Sequence, residues 1–281
     1  MEQPLEEIRD KQKASWNKFS PGWKKWDVMI MDYLAPMGNA MIEYIQPHQQ
    51  NLILDIASGT GEPALTIAGM LHKGRIVMTD LSEDMLAIAK AKATSLSLQN
   101  VDTKVCDVTE LPFADNTFDA VTCRFGFMFF PDMHLAAREM IRVLKPGGKL
   151  VTAVWGLPEK NIWVTAIANS IQQHLQLPIP PPEAPGMFRC AKKGLLKNIF
   201  EQEQLKNVFE QEVNSQLHSG TAEMYWNMMT EIAAPFVSAL SKADANTAAI
   251  IKKEAIQTIE QHFGKVNVAI DASALVIGGE K

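Results

Sequence analysis

Cysteine is scarce in this chain of 281 residues, with Cys106, Cys123 and Cys190 the only three. An odd, widely spaced set has neither the pairing of a disulfide scaffold nor the spacing of a metal site. Two of the three fall in or at the end of apolar runs that read as strands, where a reduced thiol acts as a small hydrophobe. No apolar run approaches the roughly 18 residues needed to span a bilayer. A basic excess is missing too. The formal net charge is −5, and no cluster of Lys and Arg is larger than the pairs Lys24-Lys25, Lys192-Lys193 and Lys252-Lys253, so nothing recruits a nucleic-acid polyanion. The opening stretch MEQPLEEIRDKQKASW is acidic and polar, without the apolar core of a secretory signal. These absences lead us to expect a soluble cytoplasmic protein with no nucleic-acid partner, no integral membrane segment and no metal. Hydrophobic content of 47% is enough for a full core.

What is present is organised around Leu52 to Pro63, reading LILDIASGTGEP. An apolar run ends in Asp55, and the small residues Ala57, Ser58, Gly59, Thr60 and Gly61 lead into the helical pattern of 63–71. That is a buried strand, a tight turn and a helix start, and the glycines let a ligand approach the main chain closely. A dinucleotide site keeps its pyrophosphate at such a helix start and would be repelled by the carboxylate of Asp55. A sulfonium cofactor, with a positive sulfur and an ammonium group, would be attracted. The next apolar strand, 74–80, ends in Asp80, 19 residues past Gly61, where a carboxylate can accept both ribose hydroxyls. Leu81 is placed to stack on adenine, and Ser82 caps the helix of 83–93. Met85, one turn into that helix, faces either the same pocket or plain core. A third strand, 101–105, precedes Asp107 and Val108, which supply an acceptor and a backbone donor for an adenine ring, unless Asp107 is merely a turn cap.

A fourth strand, 118–123, runs into Arg124-Phe125-Gly126-Phe127-Met128-Phe129-Phe130-Pro131-Asp132. This loop replaces the Asn-Pro-Pro-aromatic run of enzymes that methylate base or glutamine amines. A helix over 133–144 then stops at Lys145-Pro146-Gly147-Gly148 before a fifth strand, 149–155. Beyond it we expect helices over 157–177 and 192–205, separated by a proline-rich break, then a strand over 208–217. Helices over 222–239 and 247–262 and a last strand over 266–277 complete the chain. Residues 5–46 read as helical, with a break at Ser20-Pro21-Gly22 and aromatics Trp16, Phe19, Trp23 and Trp26 crowded around it. That segment is either packed on the body of the domain or a lid with aromatic faces over a ligand.

With DIASGTG, DLSEDML, LPFADNTFDAV and LKPGGKL in order, the chain resembles the class I S-adenosylmethionine-dependent methyltransferases, and within them the ubiquinone/menaquinone biosynthesis group and its small-molecule relatives. The match covers roughly residues 40–155. The resemblance implies an α/β, doubly wound, seven-stranded and mostly parallel sheet of Rossmann-like methyltransferase type with helical cap insertions. From the chain's own pattern we expect a helical lid segment over 1–46 and one methyltransferase domain over 47–281, capped at about 157–205 and 220–263. The resemblance puts Asp55, Ala57, Gly59 and Gly61 at the methionine part of S-adenosylmethionine, Asp80 at the ribose, Asp107 and Val108 at the adenine, and Arg124 beside the methionine moiety. Ala57 stands where many members have glycine, and the insertion after 155 is longer than in the quinone enzymes.

The expected activity is methyl transfer to carbon or oxygen of a small, partly apolar acceptor. Displacement at a sulfonium asks mainly for alignment and exclusion of water. If a base assists, the candidates are His134, His174 and His218. Two other readings compete: a non-catalytic binding or regulatory protein that keeps the cofactor fold, and a nicotinamide oxidoreductase, against which Asp55 and the missing third glycine both count.

Overall fold

Residues 5–281 are described by a computed structural model. Its strands are β1 (Leu52–Ile56), β2 (Arg75–Asp80), β3 (Val101–Val105), β4 (Phe118–Arg124), β5 (Leu144–Trp155), β6 (Lys206–Gly220) and β7 (Val268–Glu280). They form one sheet in the order β3-β2-β1-β4-β5-β7-β6. The first five are parallel, and β7 enters antiparallel between β5 and β6. Residues Ile53 to Ile56 of β1 are all buried, as a strand covered on both faces must be. The chain moves outward from β1 to β3 and then returns to the other side of β1 with β4. Right-handed crossovers therefore set α3 (Ala64–Met70) and α4 (Glu83–Ser95) on one face and α5 (Met133–Val143) on the other. A cleft opens outside the carboxyl ends of β1 and β4, where the order reverses.

Two helices precede the sheet, α1 (Leu5–Lys25) and α2 (Asp27–Ile45). The buried residues of α2, among them Ile30, Leu34, Met37, Met41 and Ile45, recur at helical spacing and join the main core. The expected break at Ser20-Pro21-Gly22 is absent, and α1 runs through it. A proline inside a helix leaves the carbonyl four residues back without a donor. Here that carbonyl belongs to Asn17, and the Ser20 hydroxyl donates to it at 2.9 Å. The interruption comes instead at Trp26, the cap of α2.

After β5 come α6 (Ile162–Leu175) and α7 (Leu195–Gln202), and after β6 come α8 (Ala222–Ile232), α9 (Ala234–Leu240) and α10 (Ala245–Phe263). The single helix expected over 222–239 is thus two. Pro235 lacks an N–H, and the chain bends at Ala233 so that the proline falls in the first turn of α9, where no donor is needed. Gly22 of α1 packs against α8 so closely that a β-carbon there would lie 2.1 Å from the Glu231 carbonyl oxygen. Lys145-Pro146-Gly147-Gly148, expected as a helix stop ahead of the strand, belongs to β5 itself. Leu144 pairs with Phe118, the register then shifts, and pairing resumes at Lys149 opposite Ala120. The four residues form a bulge, which tolerates a proline, and the Lys145 ammonium holds Asp119 at 2.6 Å. Among the described residues no helix is long and apolar enough to cross a membrane.

Candidate functional site

The glycine loop turns sharply because its first polar groups satisfy one another. The Ser58 N–H donates to the Thr79 carbonyl at 2.9 Å and the Gly61 N–H to the Ser58 carbonyl at 2.8 Å. Ala57, Gly59 and Gly61 all have positive φ, at 53°, 53° and 111°. For Ala57 that conformation stores strain, and Gly126 packs on its methyl so tightly that a β-carbon would come within 2.7 Å. The loop is tied to the start of α2, since the Thr60 hydroxyl donates to Asp27 at 2.8 Å and Lys92 of α4 pairs with the same carboxylate at 2.8 Å.

Against this loop lies a cavity of about 140 Å³. Of the ten residues the sequence assigned to the cofactor, eight line it: Ala57, Gly59, Asp80, Leu81, Met85, Asp107, Val108 and Arg124. Asp80 is held rigidly, one carboxylate oxygen accepting the Gly59 N–H at 2.9 Å and the other the Ser82 N–H at 2.8 Å. Burial raises its pKa, opposed by these backbone donors. Each oxygen keeps a second lone pair for a ligand hydroxyl. Asp107 does cap a short turn, accepting the Thr109 N–H at 2.9 Å through Oδ1, while Oδ2 faces the Arg9 guanidinium at 3.8 Å. Both readings of Asp107 are compatible, because the two oxygens have different neighbours. Met85 is buried and faces the cavity.

Asp55 and Gly61 do not line the cavity. Asp55 is 1% exposed; its Oδ1 accepts the Thr122 hydroxyl at 2.5 Å, and its Oδ2 is buried with no hydrogen-bond partner. Burial pushes the carboxyl up to about 6. Gly61 serves packing instead, since a β-carbon there would meet the Leu65 side chain at 2.7 Å and Ala89 of α4 at 3.2 Å. Arg124 lies deep in the structure, its nitrogens near the Leu34 carbonyl at 3.4 Å and the Met31 sulfur at 3.1 Å. No carboxylate comes within ion-pair distance of it among the described residues, and burial lowers its pKa to about 10. A partly buried cation and a buried carboxylate oxygen thus flank the glycine loop.

The three candidate histidines lie outside the cavity. His134 Nδ1 is 2.8 Å from Glu203, and His174 Nε2 is within 3.0 Å of Glu254. His218 lies on β6, beside an open polar groove that it shares with His262. Sequence reasoning missed Arg9 and Gln12, which line the cavity with Trp16 and Trp23 of α1. The signal was present, because positions 9, 12, 16 and 23 fall on one helical stripe. Glu62 and the α2 residues Met31 and Leu34 were also missed, and the last two look like ordinary core. Trp26 turns away and donates to Glu231 at 2.9 Å.

Residues 53–148 match the model of a family described as methyltransferase domain. Over 130 residues the chain is 38% identical to the demethylmenaquinone methyltransferase of Bacillus cereus, an overlap that takes in 46% of this chain and 49% of that protein. The match to that curated relative therefore spans about half its length. Among solved structures, a phosphoethanolamine N-methyltransferase of Haemonchus contortus, in complex with phosphomonomethylethanolamine and S-adenosylhomocysteine, superposes with a TM-score of 0.61 at 17% identity, covering 98% of this chain and 60% of that one. The YcgJ protein of Bacillus subtilis gives 0.58 at 20% identity, covering 87% and 97%. At these identities the superpositions speak for the fold, and they agree with the strand order above. By its matched segment and its sheet, the chain resembles the class I S-adenosylmethionine-dependent methyltransferases, with the menaquinone-type enzymes among its relatives.

Proposed function

We propose that the protein is an S-adenosylmethionine-dependent methyltransferase that acts on carbon or oxygen of a small, partly apolar acceptor. One observation carries the reading: a single cavity is bounded, in order, by the glycine loop, Asp80, Asp107 and Arg124, with aromatic side chains closing it. The donor set also fits the cofactor chemically. Among the described residues Asp55 Oδ2 has no hydrogen-bond partner and would suit an ammonium group through a bridging group, and Arg124, which contacts only the Leu34 carbonyl and the Met31 sulfur, would suit a carboxylate, so the two match an amino-acid zwitterion. Asp80 would hold the ribose hydroxyls and Asp107 with Val108 the adenine edge. The cofactor supplies an electrophilic methyl group on a positive sulfur.

The chain's own task is then to align the acceptor with that methyl and to keep water away. Trp16, Trp23, Phe125 and Phe129 give the cavity apolar walls. Among the described residues no histidine faces it, so an acceptor that ionises by itself, such as an enol or a phenol, fits better than one that needs a histidine base. The menaquinone-type relatives support a ring acceptor of this kind. The reading includes a cytoplasmic location, in keeping with three free cysteines, and a partner list without nucleic acid. It is tested by incubating the protein with methyl-labelled S-adenosylmethionine and a panel of phenols, hydroquinones and enols. Label in an extractable product is expected. Tight cofactor binding without transfer to any member would favour the non-catalytic binder instead.

A further inference from the structure

Among the described residues, five charged side chains line the cavity: Arg9, Glu62, Asp80, Asp107 and Arg124. In the reading above, on which this inference rests, Asp80 takes the ribose, Asp107 the adenine edge and Arg124 the cofactor's carboxylate. Arg9 lies against Asp107 at 3.8 Å. Glu62 is left over.

Glu62 follows the last glycine of the loop and is only partly buried. Its Oε2 accepts the Thr66 hydroxyl at 2.8 Å and the Thr66 N–H at 3.2 Å, which fastens the side chain to the start of α3. Its Oε1 forms no hydrogen bond among the described residues. Arg124 comes close to the same spot. A β-carbon at Gly38 of α2 would lie 3.6 Å from Pro63 Cβ and 3.8 Å from Arg124 Nη1, so the guanidinium reaches the residue next to Glu62. Burial lowers the Arg124 pKa, and Glu62, ahead of Asp55 and Asp27, opposes that effect. The Arg124 nitrogens nevertheless contact the Leu34 carbonyl and the Met31 sulfur rather than a carboxylate. An anion and a cation that share a cavity wall without meeting leave between them a place for a group that carries both charges. Asp55 cannot supply the anionic half by contact, because it stands behind the lining and is 1% exposed.

We infer that Glu62 Oε1 accepts the ammonium group of S-adenosylmethionine directly, so that Glu62 and Arg124 together hold the two charges of its amino-acid end while Asp55 supports the site from behind. The anionic contact thereby moves from the strand end, where the sequence placed it, to the residue after the glycines. It also makes the site selective for the zwitterion, since an adenosyl thioether without the ammonium group leaves Oε1 unmatched.

The test titrates S-adenosylhomocysteine, and its deamino analogue with hydrogen in place of the ammonium group, into the protein by calorimetry. The wild type should prefer S-adenosylhomocysteine about tenfold, the worth of one charge-assisted hydrogen bond. In Glu62→Gln, whose amide oxygen can still accept from Thr66, the preference should fall to about twofold or less, while affinity for the deamino analogue changes by less than about twofold, a control for folding. Thr66→Val loosens the same turn but keeps the carboxylate, and should hold the full preference. A wild type indifferent to the ammonium group, or a Glu62→Gln protein that keeps the full preference, would overturn the inference and leave the cofactor reading intact. So would a loss in Glu62→Gln that falls equally on both ligands, or a loss of preference in Thr66→Val as large as in Glu62→Gln, since either would make Glu62 a prop of the loop. Failure of S-adenosylhomocysteine itself to bind the wild type would remove both.

Discussion

Asp80 and Asp55 illustrate how two acidic side chains of similar sequence context take different roles. Asp80 lines the cavity and is already oriented by two backbone N–H groups. Asp80→Ala should weaken S-adenosylhomocysteine binding at least tenfold, about 1.4 kcal/mol. The same change strips the Gly59 and Ser82 N–H groups of their acceptor and should lower stability by ~1–3 kcal/mol. Calorimetry and urea unfolding measure the two effects separately. Asp55 acts from behind the lining, and its carboxyl, pushed up to about 6 by burial, is the pH-sensitive part of the site. If its ionised form serves the ammonium group, affinity should be flat above about pH 7 and fall toward tenfold per unit below about 6. Asp55→Asn should bind weakly with no such dependence. For the protein without ligand the sign is opposite, since a carboxyl with a raised folded pKa favours the folded state at low pH and opposes it increasingly as pH rises to about 6. Both acids were legible in the sequence as strand ends. That Asp55 would stop short of the cavity was not, because burial and the Thr122 hydroxyl decide it from a strand 67 residues away.

At the scale of elements, α1 closes the cavity and is fastened unevenly. Its C-terminal end is pinned to α8 by Lys25 and by the Trp26 that follows it, both on Glu231, at 2.7 and 2.9 Å, while its first half rests on Gln12 and the looser Arg9–Asp107 approach. Residues 9, 12, 16 and 23 of α1 form one wall of the cavity, so a bound cofactor would lie against this helix. Backbone amides of α1 before Asn17 should exchange with solvent several-fold more slowly once S-adenosylhomocysteine is bound; unchanged exchange would argue that α1 is fixed packing rather than a cover. Gly22→Ala should destabilise by about 1–3 kcal/mol through its collision with the Glu231 carbonyl. The control Gly69→Ala in α3, with open space around its β-carbon, should instead stabilise by about 0.5–1 kcal/mol. The helical nature of α1 and α2 could be read from the sequence, but their junction could not. Pro21 signals a stop that the Ser20 hydroxyl offsets, and nothing local marks Trp26 as the true boundary.

For the whole molecule, the parallel half of the sheet was legible because four of its strands carry charged residues at their carboxyl ends: Asp55 on β1, Asp80 on β2, Asp107 just past β3 and Arg124 on β4. The antiparallel half was legible only as two strands. Their order, with β7 between β5 and β6, follows from pairing between segments far apart in the chain, as between Lys206 and Glu280, and leaves no local trace. Of the helices between them, α8 gives α1 its anchor. The central claim is that strand ends and α1 together form one S-adenosylmethionine site. Calorimetric titration of the intact protein with S-adenosylmethionine, S-adenosylhomocysteine and NADH tests it most directly. Micromolar binding of both adenosyl compounds with no heat from NADH is the expected result; binding of NADH, or silence from both adenosyl ligands, would contradict it.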